Sequence, residues 1–261
     1  MKFSLQQLTL AALSVVPQAS GHYGFPYTVY DGVISKRWEY VRASTTSVFQ
    51  PNYDYAGIAA MCGDAGELPL FPVKTLKIAA GSTIGFGAAR QTGRSDYDES
   101  KDFRDFEPSF SMYHSGPATA YLSKAPEGVD LNEYKGDGDW FKIDVKPASD
   151  GINWDYNSGA GVSIMNFTIP EATPPGKYLL RAEHLNIENG ASYKTTEMYQ
   201  ACAHVEITGE GKGTPGPTTK FPGAFSAKDP GIWLPAALLR PYQPMDELKN
   251  WQGAGPKVWQ G

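Results

Sequence analysis

Tyr178–Leu185 (YLLRAEHL) and Ala201–Ile207 (ACAHVEI) are the stretches that decide the fold. Each alternates apolar and polar side chains over the length of a strand, the pattern of a chain whose successive residues face opposite sides of a sheet. The same period runs through Val73–Ala79 (VKTLKIA), Trp140–Val145 (WFKIDV) and Ser163–Ile169 (SIMNFTI). No long proline-free segment carries a helical period, and Pro174-Pro175-Gly176 and Gly81-Ser82 supply turns between the runs. The expectation is an all-β protein whose antiparallel strands pack as a β-sandwich, with helix confined to connections. Ser44–Leu70 and Arg90–Ser109 read as long loops, which seldom lack a role in a compact domain. The C-terminal stretch, rich in Gly, Pro and aromatics, reads as an irregular strap wrapped around the sandwich.

The 261 residues open with Lys2, an apolar stretch from Leu8 to Val16 too short to span a bilayer, and the small-x-small pattern Ala19-Ser20-Gly21. Residues 1–21 therefore read as a secretion signal cut between Gly21 and His22, leaving 22–261 as one secreted, extracellular domain. A cut one or two residues away is the competing reading. No second apolar run is long enough for a membrane helix, and the C-terminus lacks the tail of a lipid-anchor signal. A net charge of −5 without a basic cluster argues against a nucleic-acid partner. Cys62 and Cys202 are the only cysteines, and in an oxidising secretory route such a pair forms one disulfide. Closing so long a loop is worth about 4 to 5 kcal/mol on the chain-entropy model. Asn166-Phe167-Thr168 is a glycosylation sequon set within a strand-like run.

Cleavage before His22 would give that residue a free α-amine beside its own imidazole. A metal site built on it needs a second imidazole, and the candidates are His114, His184 and His204. His114 sits in the turn Tyr113-His114-Ser115-Gly116-Pro117, where a side chain can project at a sheet edge, whereas the other two lie inside strand-like runs. His114 is the better partner. Two imidazoles and an amine form a three-nitrogen set that suits Cu(II). An amine with a pKa of about 8 must lose its proton to bind, so affinity should fall in acid. Tyr199, three residues before Cys202, is a candidate weak axial group, with core packing as its competing role.

Seven stretches extend the pattern: HYGFP from His22, WEYVR from Trp38, HSGPATAYLSKAP from His114, DWFKI from Asp139, IPEATPPGKYLLRAEHL from Ile169, MYQACAHVEI from Met198 and FPGAFSAKDPGI from Phe221. In this order the chain resembles fungal copper-dependent lytic polysaccharide monooxygenases of auxiliary activity family 9, formerly glycoside hydrolase family 61, over nearly all of its mature length. The resemblance implies an immunoglobulin-like antiparallel β-sandwich with long loops and a flat face centred on one copper per chain. It implies that His22, through its amine and Nδ1, and His114, through Nε2, hold the metal with Tyr199 axial, and that Cys62 pairs with Cys202. It further implies a monomer that uses an external electron donor and O2 or H2O2 to oxidise a β-linked glucan such as cellulose at C1 and/or C4.

Two positions depart from the family pattern. Members carry a histidine in a motif like LLRxExxxLH and a glutamine two residues before the axial tyrosine, where they position and protonate bound oxygen species; here those positions hold Glu188 and Glu197. An ionised carboxylate accepts a hydrogen bond but cannot donate one. Tyr199, Glu197 and Glu188 are thus the candidate catalytic group, with solvated loop acids as the plainer reading of both glutamates; His184 lies near this segment but is not taken as a substitute for the missing imidazole, because strand alternation could equally point it away. The competing function is a catalytically weak or inactive copper-binding member acting in copper handling or at the cell wall. A hydrolytic glycosidase is a third reading, for which no carboxylate pair can be assigned a separation. Tyr23 and Tyr242 are the candidate ring contacts to polysaccharide; Trp251 and Trp259 are weaker ones that could equally pin the strap.

Overall fold

The computed structural model describes residues 22–43, 50–63, 67–90, 112, 114–156 and 162–261. The signal expected over 1–21 lies outside the described residues, as does nearly all of the loop expected over 90–109. The described strands are β1 (Tyr23–Tyr30), β2 (Val33–Ile34), β3 (Leu76–Ala79), β4 (Thr83–Arg90), β5 (Ala118–Lys124), β6 (Trp140–Lys146), β7 (Ile164–Thr168), β8 (Gly176–Asn186), β9 (Glu197–Thr208) and β10 (Thr218–Thr219). Among the described residues helix is limited to short connections such as α1 (Ala59–Cys62) and α2 (Asp246–Lys249). One sheet has the order β2-β1-β4-β7 and the other β10-β6-β5-β8-β9-β3. The β-sandwich expected from the sequence is what the chain forms.

One pairing departs from the antiparallel expectation. β3 runs parallel to β9, from Leu76 opposite Val205 to Ala79 opposite Thr208. The turn at Gly81-Ser82 does not fold the chain back as a hairpin. Gly81 takes a φ of 81° and its N–H donates to Ile169 O at 2.9 Å, so the chain crosses into the other sheet as β4. β3 is left as an edge strand whose direction this crossing sets.

The alternation along β8 separates two apolar layers. Tyr178, Leu180 and Ala182 face the other sheet and pack with Phe25, Phe86 and Phe167 between the layers. Leu179 and Leu185 face outward, where Phe221, Phe225, Ile232, Leu234 and Trp251 of the C-terminal strap cover them. Beyond exposed Lys177, the polar residues of β8 therefore do not meet water. Arg181 and Glu183 are fully buried and form an ion pair. The Arg181 guanidinium also donates to Ala60 O and Met61 O, both at 2.8 Å, and lies 4.4 Å from the Phe221 ring centre.

Those bonds tie α1 to β8, and the Cys62–Cys202 disulfide, with Cα atoms 5.1 Å apart, ties it to β9. Trp251 meets Trp154 edge-on at 5.5 Å and Trp259 meets Phe141 edge-on at 5.3 Å, both buried. They pin the strap and offer no ring to a polysaccharide. Among the described residues no helix is long and apolar enough to cross a membrane.

Candidate metal centre

The candidate residues converge at one end of the sandwich, where β8 ends and β9 and β1 begin. Asn186 and Glu197 face each other across the β8–β9 pair, and His184 faces Tyr199 two residues further in. Residues two apart on a strand share a face, so Glu197 and Tyr199 project together. The Tyr23 ring, from the opposite sheet, stacks on Tyr199 with centres 4.3 Å apart and planes at 19°. His22 precedes Tyr23, and its ring lies 6.3 Å from that of Tyr199. His114 enters from the turn before β5 and flanks both rings, 5.8 Å from Tyr199 at 22° and 5.9 Å from Tyr23 at 36°. The structure thus gathers His22, His114 and Tyr199 around one point, with Glu188 and Glu197 beside them.

The two ring nitrogens of His114 have different surroundings. Nδ1 lies 3.3 Å from Glu188 Oε2, and because an ionised carboxylate can only accept, this contact places the ring proton on Nδ1. Nε2 is buried and has no hydrogen-bond partner among the described residues; Glu197 Oε2, at 3.7 Å, is beyond hydrogen-bond reach. An unpaired buried nitrogen costs about 1 to 3 kcal/mol. A metal taking the Nε2 lone pair would remove that cost, and a ligating histidine whose other N–H meets a carboxylate is a common metal-site arrangement. Among the described residues no three His, Cys, Asp or Glu side chains gather into a cation site of their own. The donors present fit a metal that also draws on a main-chain nitrogen.

Glu197 is not a solvated loop acid. It accepts from Tyr53 Oη at 2.7 Å, from Asn186 Nδ2 at 2.8 Å and from Tyr199 Oη at 2.8 Å. Burial pushes its pKa up, but the three hydrogen bonds and nearby His114 outweigh burial and hold the carboxyl below its usual range. Burial and the Glu197 charge push the Tyr199 phenol far up, so it stays protonated and donates. Tyr53 reaches Glu197 because Asn52 and Met198 exchange backbone hydrogen bonds at 2.9 and 3.0 Å. Neither Tyr53 nor Asn186 was identified from sequence. The Asn186–Glu197 pairing follows from the hairpin register, which the residue pattern alone left open, and Tyr53 arrives by a bridge distant in sequence.

Tyr23 is a correction. Expected as a surface ring, it is 1% exposed, sandwiched against Tyr199 and hydrogen-bonded through its hydroxyl to His184 Nδ1. His184 Nε2 faces Gly116 O at 3.2 Å and Tyr156 O at 3.3 Å, so Nε2 carries the proton and Nδ1 accepts from Tyr23. β1 turns Tyr23, together with Phe25 and Tyr27, into the core between the two sheets. Burial lowers the His184 pKa to about 4, keeping it neutral. It is a core residue and does not replace the missing imidazole.

Tyr242 is fully exposed. The sequence reading missed a second exposed aromatic group on the β8–β9 loop, where Tyr193 and Trp233 meet at 5.5 Å and 64°. Trp233 Nε1 donates to Ala191 O at 2.8 Å, which locks strap to loop. Asn166 of the sequon is exposed on edge strand β7.

Comparison with known proteins agrees with this geometry. Residues 22–243 match the family model of Auxiliary Activity family 9 (formerly GH61). AA9 family lytic polysaccharide monooxygenase H of Malbranchea cinnamomea is 34% identical over 262 residues, spanning 98% of this chain and 100% of its own length. AA9 family lytic polysaccharide monooxygenase C of Emericella nidulans is 34% identical over 259 residues, spanning 97% and 98%. Among solved structures, the extended catalytic domain of H. jecorina LPMO9A superposes with a TM-score of 0.70 at 17% identity, covering 92% of both chains, a likeness of fold. The full-length sequence match and the shared sandwich place the chain in Auxiliary Activity family 9, as a copper-dependent lytic polysaccharide monooxygenase.

Proposed function

We propose that the mature protein starts at His22, where the His22 amine and Nδ1, His114 Nε2 and Tyr199 would hold one copper. In this reading it is a secreted monomer that oxidises a β-linked glucan such as cellulose at C1 and/or C4. Bound copper supplies one-electron chemistry with O2 or H2O2 once an external donor has reduced it. The observation that carries the assignment is the buried, unpartnered Nε2 of His114 within stacking distance of Tyr199 and beside His22. The protein's part is orientation: Glu188 fixes the His114 tautomer, and Tyr23 backs the ring of Tyr199.

Polysaccharide contact in this reading falls to Tyr242 and to the Tyr193–Trp233 pair rather than to Tyr23. The test combines N-terminal mass and copper content of the secreted protein with product analysis on cellulose, xyloglucan and glucomannan in the presence of reductant. One copper per chain on a His22 terminus, with aldonic acids or C4 ketoaldoses, is expected. A blocked or displaced terminus, or no oxidised sugar on any glucan, overturns it.

A weakly active copper protein is the second reading, and the three donors on Glu197 favour it. They hold an ionised acceptor where family members have an amide able to donate. Two carboxylates beside a ligand ring also favour the more highly charged, oxidised metal. On this reading Glu188→His with Glu197→Gln restores reductant-dependent peroxide formation, and a double variant no more active than the parent excludes it.

A further inference from the structure

Beside the metal centre lies a cleft of about 310 Å3, walled by Ser115, Asn153, Glu188 and Arg240 with Ile152 and Pro241 completing its sides. It shares two elements with the centre. Ser115 follows His114 in the chain, and Glu188 Oε2 is the atom 3.3 Å from His114 Nδ1. Arg240 is exposed and takes no hydrogen bond or ion pair among the described residues. Tyr242, next in the chain to lining residue Pro241, is fully exposed.

We infer that this cleft is a subsite for a neutral sugar branch on a β-glucan chain passing over the metal centre. The inference rests on the polysaccharide reading above and adds the substrate's shape. The polar lining of Ser115, Asn153, Glu188 and Arg240 matches the hydroxyls of a pyranose, and the apolar lining at Ile152 and Pro241 matches its C–H faces. The volume is at the small end of ligand pockets, room for a short saccharide unit rather than for a long chain. A glucan chain inside a crystalline sheet has neighbours on either side and cannot send a sugar into a recess. The occupant is therefore a ring that leaves the main chain. The Glu188 carboxylate repels an acidic sugar, while a neutral ring can accept from Arg240 and donate to Glu188 in the same pose.

The test is titration calorimetry on the metal-free mature protein with three probes of equal backbone length. They are an unbranched β-1,4-glucan oligosaccharide, the same chain with α-linked xylose branches, and one bearing a glucuronate branch. The neutral branched chain should bind about tenfold more tightly than the other two, the value of one charge-assisted hydrogen bond. Arg240→Ala should erase that preference, Asn153→Ala should reduce it and Arg240→Lys should recover part of it, with unchanged unfolding temperatures showing that the variants fold. Equal affinity for branched and unbranched chains overturns the inference. So does a preference for the branch that survives Arg240→Ala, or an Arg240→Ala loss of equal size on all three probes. Because no probe requires copper, a branch preference without copper binding would sink the copper assignment alone, and copper binding without the preference would sink the subsite alone.

Discussion

Replacing Tyr23 by Phe separates a buried role from a surface one in a single atom. The hydroxyl of Tyr23 is the donor to Nδ1 of fully buried His184, whose Nε2 proton is already directed at Gly116 O and Tyr156 O. Phe keeps the ring that stacks 4.3 Å from Tyr199 but leaves Nδ1 without its donor. A buried acceptor stripped of its partner costs about 1 to 3 kcal/mol. For a domain of this size each kcal/mol lowers Tm by about 2 to 4 °C, so the metal-free mature variant should melt about 2 to 12 °C below the parent. Tyr23→Ala, which removes the ring as well, should cost about 3 to 5 kcal/mol. Differential scanning calorimetry reads the stability, and titration with a β-glucan oligosaccharide reads the affinity. If Tyr23→Phe leaves Tm unmoved while Tyr23→Ala weakens glycan binding without loss of stability, Tyr23 is a surface contact and the buried assignment is wrong.

Burial lowers the pKa of His184 to about 4 and of His204 to about 3, the latter helped by the Arg42 charge, against an ordinary 6.5. Below that ordinary value the unfolded chain takes up protons that the folded one refuses, so stability should fall on acidification from pH 6.5 towards 4, by about 4 kcal/mol for the two together between pH 7 and 5; urea titrations without that slope would refute it. Glu183→Ala strands the buried Arg181 charge and should cost about 3 to 5 kcal/mol, whereas Arg181→Met with Glu183→Leu should be far milder; a double variant as unstable as the two single losses summed counts against the ion-pair account. Tyr193→Ala should weaken β-glucan affinity about 2- to 10-fold with little effect on Tm, and unchanged pull-down on cellulose, xyloglucan and glucomannan would remove the ring from the contact face.

The strands legible in the sequence are those whose period survives intact: β3, β6, β7, β8 and β9. β1 and β4 escaped for a physical reason. Pro26 sits where the β1–β4 register shifts between Gly24 and Tyr27, and Gly85 and Gly87 interrupt β4. Those irregularities are fitted to the partner strand. A Cβ at Gly85 would lie 2.6 Å from Ile164 Cγ2 of β7, closer than side chains can approach. Periodicity gave the right strand for β8 but the wrong surroundings for its polar face. It cannot distinguish a face turned to water from one turned to a strap that arrives forty residues later in the chain, about the distance from Arg181 to Phe221. His114 and Tyr199 were legible as family positions, whereas Tyr23 was misplaced because adjacency to His22 in sequence says nothing about which face of the sandwich its ring meets.

Glu197 shows how far substitution at one position reaches. A solvated glutamate two residues before Tyr199 would leave the tyrosine free to adjust, but Tyr53, Asn186 and Tyr199 all direct donors at this carboxylate. Those three groups come from the segment between β2 and α1, from the end of β8 and from β9. The carboxylate is therefore the point at which three separate segments are joined beneath the metal centre. It also fixes the direction of each hydrogen bond: both phenols point their protons at the carboxylate, which leaves Tyr199 Oη only its lone pairs to offer to any other group. Glutamine could accept two of these bonds and would turn its own N–H2 towards a third donor, so one of the tyrosines would have to rotate its proton outward. Replacing the acid thus changes both the charge beside His114 and which groups can donate at the face of the site. The acid at position 197 is a built part of this centre, and the oxygen chemistry it permits is that of a site whose nearest donors are already engaged.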